Sequence, residues 1–332
     1  MPSKVRVIQL KTATFDSNLE RSSNDSLEDQ ISSKSVLLTK AIATALYNIS
    51  QNSSGGKSST KPDVTFVTAP EFYWNIPWSS IKSKTDLALS CTFYLENINK
   101  TVLNLSAQFP EDIYGKIVFI PGSVAVLFEQ EGRPNHYEVL NWLLCFTNFS
   151  PEGVINMWPK RNTSAIDVYF GQRLQDAGKG SDYYRTWLPN KLELIYIAKQ
   201  TDVSAENYSA DGTPDIFRND ISGVPIFAID VCLDFALASA RNQQRSAENK
   251  VNDIKLNFLI ACGMPASSSD LEKVARTSID YLIRNDGMGR GTSEVFNTTV
   301  ANQVATVPAE YEPAGFAIAN SDSRVFVYEF NV

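Results

Sequence analysis

Three features of the 332-residue chain predict an α/β fold. Short apolar runs rich in β-branched residues, among them Val5–Leu10, Val64–Thr68, Ile226–Val231 and Leu256–Ala261, have the length of buried strands, and stretches with helical spacing fall between them. A carboxylate, an ammonium and a thiol (Glu71, Lys160 and Cys232) each follow a strand end, where ligands gather in α/β proteins. No internal linker separates two self-sufficient halves, so one domain over residues 1–332 is expected.

In chain order, Val5–Leu10 reads as the first strand, and Thr12–Ser33 as a polar approach with some helix. Ser35 is expected to cap a helix over Val36–Tyr47, where apolar residues recur at helical spacing. The low-complexity stretch 51–60 is a surface insertion before the strand Val64–Thr68, and Asp86–Ala107 is a long helix. Strands follow at Ile117–Pro121, Val124–Glu129, Val139–Phe146 and Val154–Trp158. Residues 162–190 have little periodicity and read as an insertion, Leu192–Ala198 as a strand, and 201–222 as an insertion covering the site mouth. After Ile226–Val231 come a helix over Phe235–Lys250, the strand Leu256–Ala261, a helix opened by the capping box Ser269–Glu272, and the strand Ile279–Arg284. Gly287, Gly289 and Gly291 form a turn rather than a dinucleotide loop, and Gly315–Asn320 and Val325–Phe330 close the chain as a strand pair.

Cys232 sits at a strand-to-helix corner, where a helix amino terminus favours a thiolate. The single histidine, His136, lies in a polar turn-like stretch, so a cysteine enzyme built here needs another base. Glu71 and Lys160 supply a carboxylate and an ammonium at two other strand ends. Free thiols have pKa near 8.5; an adjacent ammonium lowers that value and a carboxylate accepts the proton. Tyr73 and Trp74, directly after Glu71, are either core or the lining of an apolar substrate pocket. Cys262 ends its strand with no acid or lysine beside it in sequence and reads as structural.

Glu71 after a strand and Pro70, Lys160 after a strand, and Cys232 in Cys-Leu-Asp together resemble the Glu-Lys-Cys triad of the nitrilase, or carbon-nitrogen hydrolase, superfamily. Gln9 in the first strand, Phe119–Ser123, the strand bearing Asn141 and the segment Asn285–Ser293 extend the likeness over nearly the whole chain. The resemblance implies a four-layer α-β-β-α sandwich and an amidase-type hydrolase working through a Cys232 thioester. Glu71 would be the general base, and Lys160 with the Leu233 N–H would stabilise the oxyanion. It also implies a second carboxylate that orients water: Asp167 is the nearest candidate, with Asp176, Asp182 and Glu193 left open. No metal or organic cofactor is required, and pairing into a dimer or larger homo-oligomer through the helix after the nucleophile is expected. The alternatives are nitrile hydrolysis by the same triad and a non-catalytic binding or assembly protein on this fold.

A hydrophobic fraction of 43% with 20% charged residues fits a globular chain with a sizeable core. A net charge of −7 leaves no basic stripe for nucleic acid or an anionic membrane, so the expected partner is a small-molecule amide or nitrile. Four cysteines without pairing or metal spacing suggest reduced thiols. Met1–Val5 leads into a strand without an apolar signal segment, and no run of about 20 apolar residues could span a bilayer, so a cytoplasmic location is expected.

Overall fold

The computed structural model describes residues 2–15, 26–53, 61–149, 156–200, 217–237, 254–266, 279–300, 302–304 and 323–332. Its strands are β1 Lys4–Lys11, β2 Val64–Thr68, β3 Ile117–Ile120, β4 Ser123–Glu129, β5 His136–Thr147, β6 Asn156–Pro159, β7 Gln175–Asp176, β8 Tyr183–Trp187, β9 Leu194–Ala198, β10 Phe217–Asn219, β11 Phe227–Val231, β12 Leu256–Ala261, β13 Tyr281–Asp286, β14 Thr292–Asn297, β15 Asn302–Gln303 and β16 Arg324–Asn331. Two long helices are α1, Leu27–Ser53, and α2, Lys84–Ala107.

The strands form two sheets. The first runs β16-β1-β2-β3-β5-β9-β8-β7, with β4 and β6 also paired to β5, and the second runs β10-β11-β12-β13-β14-β15. β1, β2 and β3 are parallel in the first sheet, as are β11, β12 and β13 in the second. Parallel strands must be covered on both faces, and period-2 alternation sorts their side chains accordingly. Val5, Val7, Val64, Phe66, Val118 and Ile120 of the first sheet meet Phe227, Ile229, Leu256, Phe258 and Ile260 of the second. Phe66 lies 4.8 Å from Phe258 and edge-on to Phe227 at 5.2 Å, ring to ring. The alternate residues Ile8, Leu10, Val67 and Phe119 face the other way, onto Leu38, Ile42, Tyr94 and Val102 of α1 and α2.

The architecture is the expected α/β sandwich of sheets flanked by helices. Of the two further helices expected, the one at 235–250 is seen in its first residues, 233–237, with the remainder outside the described residues, and the one opened at Ser269 lies wholly outside them. Gly315–Asn320 also lies outside them, and β16 pairs antiparallel with β1. Among the described residues no helix is long and apolar enough to cross a membrane.

Helix boundaries follow cap chemistry. Ser83 accepts from the Asp86 N–H while the Asp86 carboxylate accepts from the Ser83 N–H, a reciprocal box that opens α2. α1 begins two turns before the expected Ser35 cap, because Ser26 accepts from the Asp29 N–H. Its first turn is polar, with Glu28 and Asp29 outside the apolar stripe, so hydrophobic spacing misses it. Residues 162–190 are not free of regular structure: β7 and β8 extend the first sheet through β9. β8 buries only Thr186 fully and lacks an alternating apolar face, which hides it from a periodicity argument. β14, for which no strand was expected, follows the Gly287–Gly291 turn and pairs antiparallel with β13.

Candidate active site

The carboxyl ends of the two sheets meet. The Glu71 N–H, just past β2, donates to the Ala261 carbonyl at the end of β12 at 3.3 Å, and the Gly287 N–H donates to the same carbonyl at 2.9 Å. A Cβ on Gly287 would fall 1.8 Å from Thr14 Oγ1 and 2.9 Å from Thr14 Cβ, so a side chain there would displace Thr14. Behind them Gln9, Thr68, Asn285, Ser293 and Tyr328 are buried and hydrogen-bonded, with Ser293 Oγ donating to Gln9 Oε1 at 2.7 Å and Asn285 Nδ2 to Thr68 Oγ1 at 2.9 Å.

Within this closed end the sandwich brings Glu71, Lys160, Asp167 and Cys232 together. Lys160 Nζ lies 3.0 Å from Glu71 Oε1 and 2.7 Å from Asp167 Oδ1, and all three side chains are essentially without solvent exposure. Asn141 Nδ2 donates to the same Glu71 oxygen at 2.8 Å, and the Lys160 N–H donates to the Asn141 carbonyl at 2.7 Å. One strand residue thus holds base and ammonium together. Glu71 Oε2 makes no hydrogen bond of normal geometry among the described residues, while the Cys232 thiol is close enough to act on the carboxyl as a donor. The Cys232 Sγ also points at the Cys262 carbonyl, 3.6 Å away.

One ammonium cannot neutralise two buried carboxylates, and the pKa values reflect this. Burial pushes Glu71 up to about 7 against the pull of Lys160, and the Asp167 charge adds to the rise. Burial alone would lower Lys160, but Asp167, Cys232 and Glu71 outweigh it and hold the ammonium well above its usual value. Burial and then the Glu71 charge raise the Cys232 thiol well above its usual value, against the pull of Lys160. The resting state therefore has a neutral thiol, a fixed ammonium and a carboxyl that can titrate near neutrality.

Two turns aim these groups, and both use left-handed backbone at a non-glycine residue. Cys232 has φ 49° between β11 and the helical residues 233–237, with its N–H on the Ile260 carbonyl. Phe72 has φ 61° directly after Glu71. Such conformations cost about 1–3 kcal/mol each and persist only where surroundings over-determine them. The Glu71 turn is fixed by Ser123 Oγ accepting from the Phe72 N–H at 3.0 Å and by Asn75, which exchanges two bonds with the Ala125 backbone. Half-buried Lys34 of α1 adds bonds to the carbonyls of Tyr73 and Asn75 at 2.7 and 2.6 Å.

The left-handed Phe72 also decides which aromatic meets the site. Its ring lies 5.9 Å from Lys160 Nζ, whereas Tyr73 and Trp74 pack into the core beneath α1 and α2, with Tyr73 Oη donating to the Lys34 carbonyl. Tyr73 and Trp74 are therefore corrected from pocket lining to helix-side core. Leu233 opens the helical turn after Cys232, where first-turn N–H groups have no intrahelical partner.

Among the four acids left open, Asp167 is the one on Lys160; Asp176 pairs with Lys199 at 2.5 Å and Glu193 with Lys84. His136 stacks on Tyr196 at the start of β5, and no part of the cluster involves it. Cys262, read as structural from its sequence neighbours, sits against the site: its carbonyl faces the Cys232 thiol and the Glu71 charge raises its own thiol pKa after burial. Its acid comes from β2, remote in sequence. Sequence reasoning also passed over Asp234, which is 5% exposed and accepts from the N–H groups of Arg161 and Asn162. The signal was its position two residues past Cys232. Among the described residues no group of His, Cys, Asp and Glu is arranged to hold a metal ion.

No protein-family model and no curated protein matches the chain. Among solved structures it is similar to a carbon-nitrogen hydrolase from Helicobacter pylori G27, at 12% sequence identity and a TM-score of 0.49, over 98% of this chain and 89% of the other. A likeness at that level assigns no activity, so the chemistry has to be argued from the side chains themselves.

Proposed function

We propose that the protein hydrolyses a non-peptide carbon–nitrogen bond, in the simplest case an amide, through a thioester on Cys232. The observation that carries the reading is the buried set in which Glu71 and Asp167 share the Lys160 ammonium beside a thiol at a strained strand-to-helix turn. Such an arrangement is costly to bury and fits acyl transfer closely.

Glu71, ionised above about pH 7, accepts the Cys232 proton as sulfur attacks the acyl carbon. The Lys160 ammonium and the Leu233 N–H face the developing oxyanion. Collapse expels the amine, which takes the proton from Glu71, and leaves the thioester. Glu71 then removes a proton from water, hydroxide adds to the thioester carbon, and collapse returns the thiolate, which recovers its proton from Glu71 as the acid leaves. Asp167 keeps Lys160 charged and aimed throughout; Ser164, whose N–H and Oγ bond its carboxylate at 3.0 and 2.5 Å, fixes its direction.

A screen for released ammonia or amine over amides, carbamoyl compounds and nitriles tests the reading, with Cys232→Ser as control. Turnover of an amide that vanishes in the variant supports it. Preference for nitriles would move the substrate class while keeping the cysteine chemistry. No turnover across the panel, with a Cys232 thiol no more reactive than Cys145, would favour a binding or assembly role instead.

A further inference from the structure

Glu71 and Lys160 are carried by the first sheet and Cys232 by the second, so the chemistry depends on how well the two are locked together at this end. We propose that Asp234 is a positioning residue: its buried carboxylate straps the loop bearing Lys160 and Asp167 to the turn bearing Cys232, and so sets the ammonium against the thiol. This rests on the proposed function.

Asp234 lies in the first helical turn after Cys232 and is nearly fully buried. An acid in that place ordinarily serves the N–H groups of its own helix. Its recorded partners lie on the other sheet's loop. Oδ2 accepts from the Arg161 N–H at 2.8 Å, and Oδ1 accepts from the Asn162 N–H at 3.0 Å and from Asn162 Nδ2 at 2.8 Å. These donors are the two residues directly after Lys160. Hydrogen bonds to an ionised acceptor are roughly twice as strong as neutral ones, and a cluster of three from one short segment fixes its direction.

The remainder of that loop is pinned as well. The Thr163 N–H donates to the Lys199 carbonyl at 2.9 Å, Asn162 makes a bridge with Gln200, and Ser164 bonds Asp167. Those bonds tie the loop to its own sheet. Asp234 alone among these partners belongs to the nucleophile's turn, so it transmits the position of Cys232 to Lys160 across the gap between sheets.

The test needs no substrate. Iodoacetamide labelling of each cysteine, read by mass spectrometry from pH 5 to 9, is compared in the wild type and in Lys160→Met, Asp234→Asn and Asn162→Ala. Asp234→Asn keeps the shape but turns a donor toward the Arg161 N–H; with Lys160 displaced, the pH midpoint of Cys232 labelling, set by Glu71 as the proton acceptor, should move upward by about one unit toward that of Lys160→Met, slowing labelling below that midpoint by about tenfold. Asn162→Ala, which removes one of the three donors outside the core, should shift the midpoint the same way by less. Cys145, buried in the core, should label alike in all. A folded Asp234→Asn protein with wild-type Cys232 labelling, while Lys160→Met is slow, would overturn the strap and leave the proposed mechanism standing. Wild-type labelling in Lys160→Met would overturn both. Should Asp234→Asn not fold, an unshifted midpoint in Asn162→Ala overturns the strap on its own.

Discussion

The middle of the sandwich and its carboxyl end are equally buried and chemically opposite. Between the sheets Phe66, Phe227 and Phe258 have 0% exposure and pack ring against ring. One strand length away, Glu71 is also at 0% and Lys160 at 2%, yet they carry charge. Apolar burial stabilises at about 25 cal/mol per Å², whereas a buried ionic group returns its desolvation cost only with good partners. The middle holds the sheets together and the end tolerates strain, left-handed Phe72 and Cys232 included. Stability is gathered in one region, and the other region uses it.

That contrast can be broken at either side. The largest effect belongs to Cys232→Ser: a hydroxyl is far less acidic than a thiol, so turnover should vanish while the protein folds and holds bound substrate. Wild-type-like turnover there would end the assignment. On the apolar side, Phe258→Ala should cost about 3–5 kcal/mol in denaturant unfolding, with Cys232 labelling in the folded fraction unchanged. A loss under 1 kcal/mol would mean that the inter-sheet core is not what anchors the site. Lys160→Arg keeps the charge but replaces a compact ammonium with a wide planar group, so the steady-state rate should fall by about 100-fold, the scale of one lost oxyanion donor. A near-normal rate in the folded variant would remove Lys160 from the site. Smallest is the pH effect. Because Glu71 must be ionised to accept the thiol proton and its pKa is raised to about 7, kcat/KM should climb with pH up to about 7 and flatten above it, about tenfold per unit below. A flat profile from pH 5 to 7 would contradict Glu71 as base.

Much of the apolar side was legible in the sequence, because β-branched runs such as Val64–Thr68 and Leu256–Ala261 encode burial locally. So was the placement of Glu71, Lys160 and Cys232, since each follows such a run. What escaped was decided by backbone turns and by distant partners. The left-handed Phe72 inverts which of three consecutive aromatics faces the cluster, and no periodicity encodes it. Cys262 was read without an acid because Glu71 is 191 positions away in sequence, although the Glu71 N–H bonds the residue just before it. Nothing beside Asp234 in sequence marks a role for it beyond its place in Cys-Leu-Asp, and only the opposing loop shows what it holds.

The central claim is that Cys232 is a thiol served by Glu71 and Lys160 rather than one more packed cysteine. Rates of iodoacetamide modification at Cys91, Cys145, Cys232 and Cys262, measured on the folded protein across pH, test it most directly. Cys232 should be modified fastest, with a rate that rises through about pH 7 as Glu71 ionises. Modification of Cys232 no faster than Cys145, whose thiol burial alone pushes well above its usual range, would contradict it.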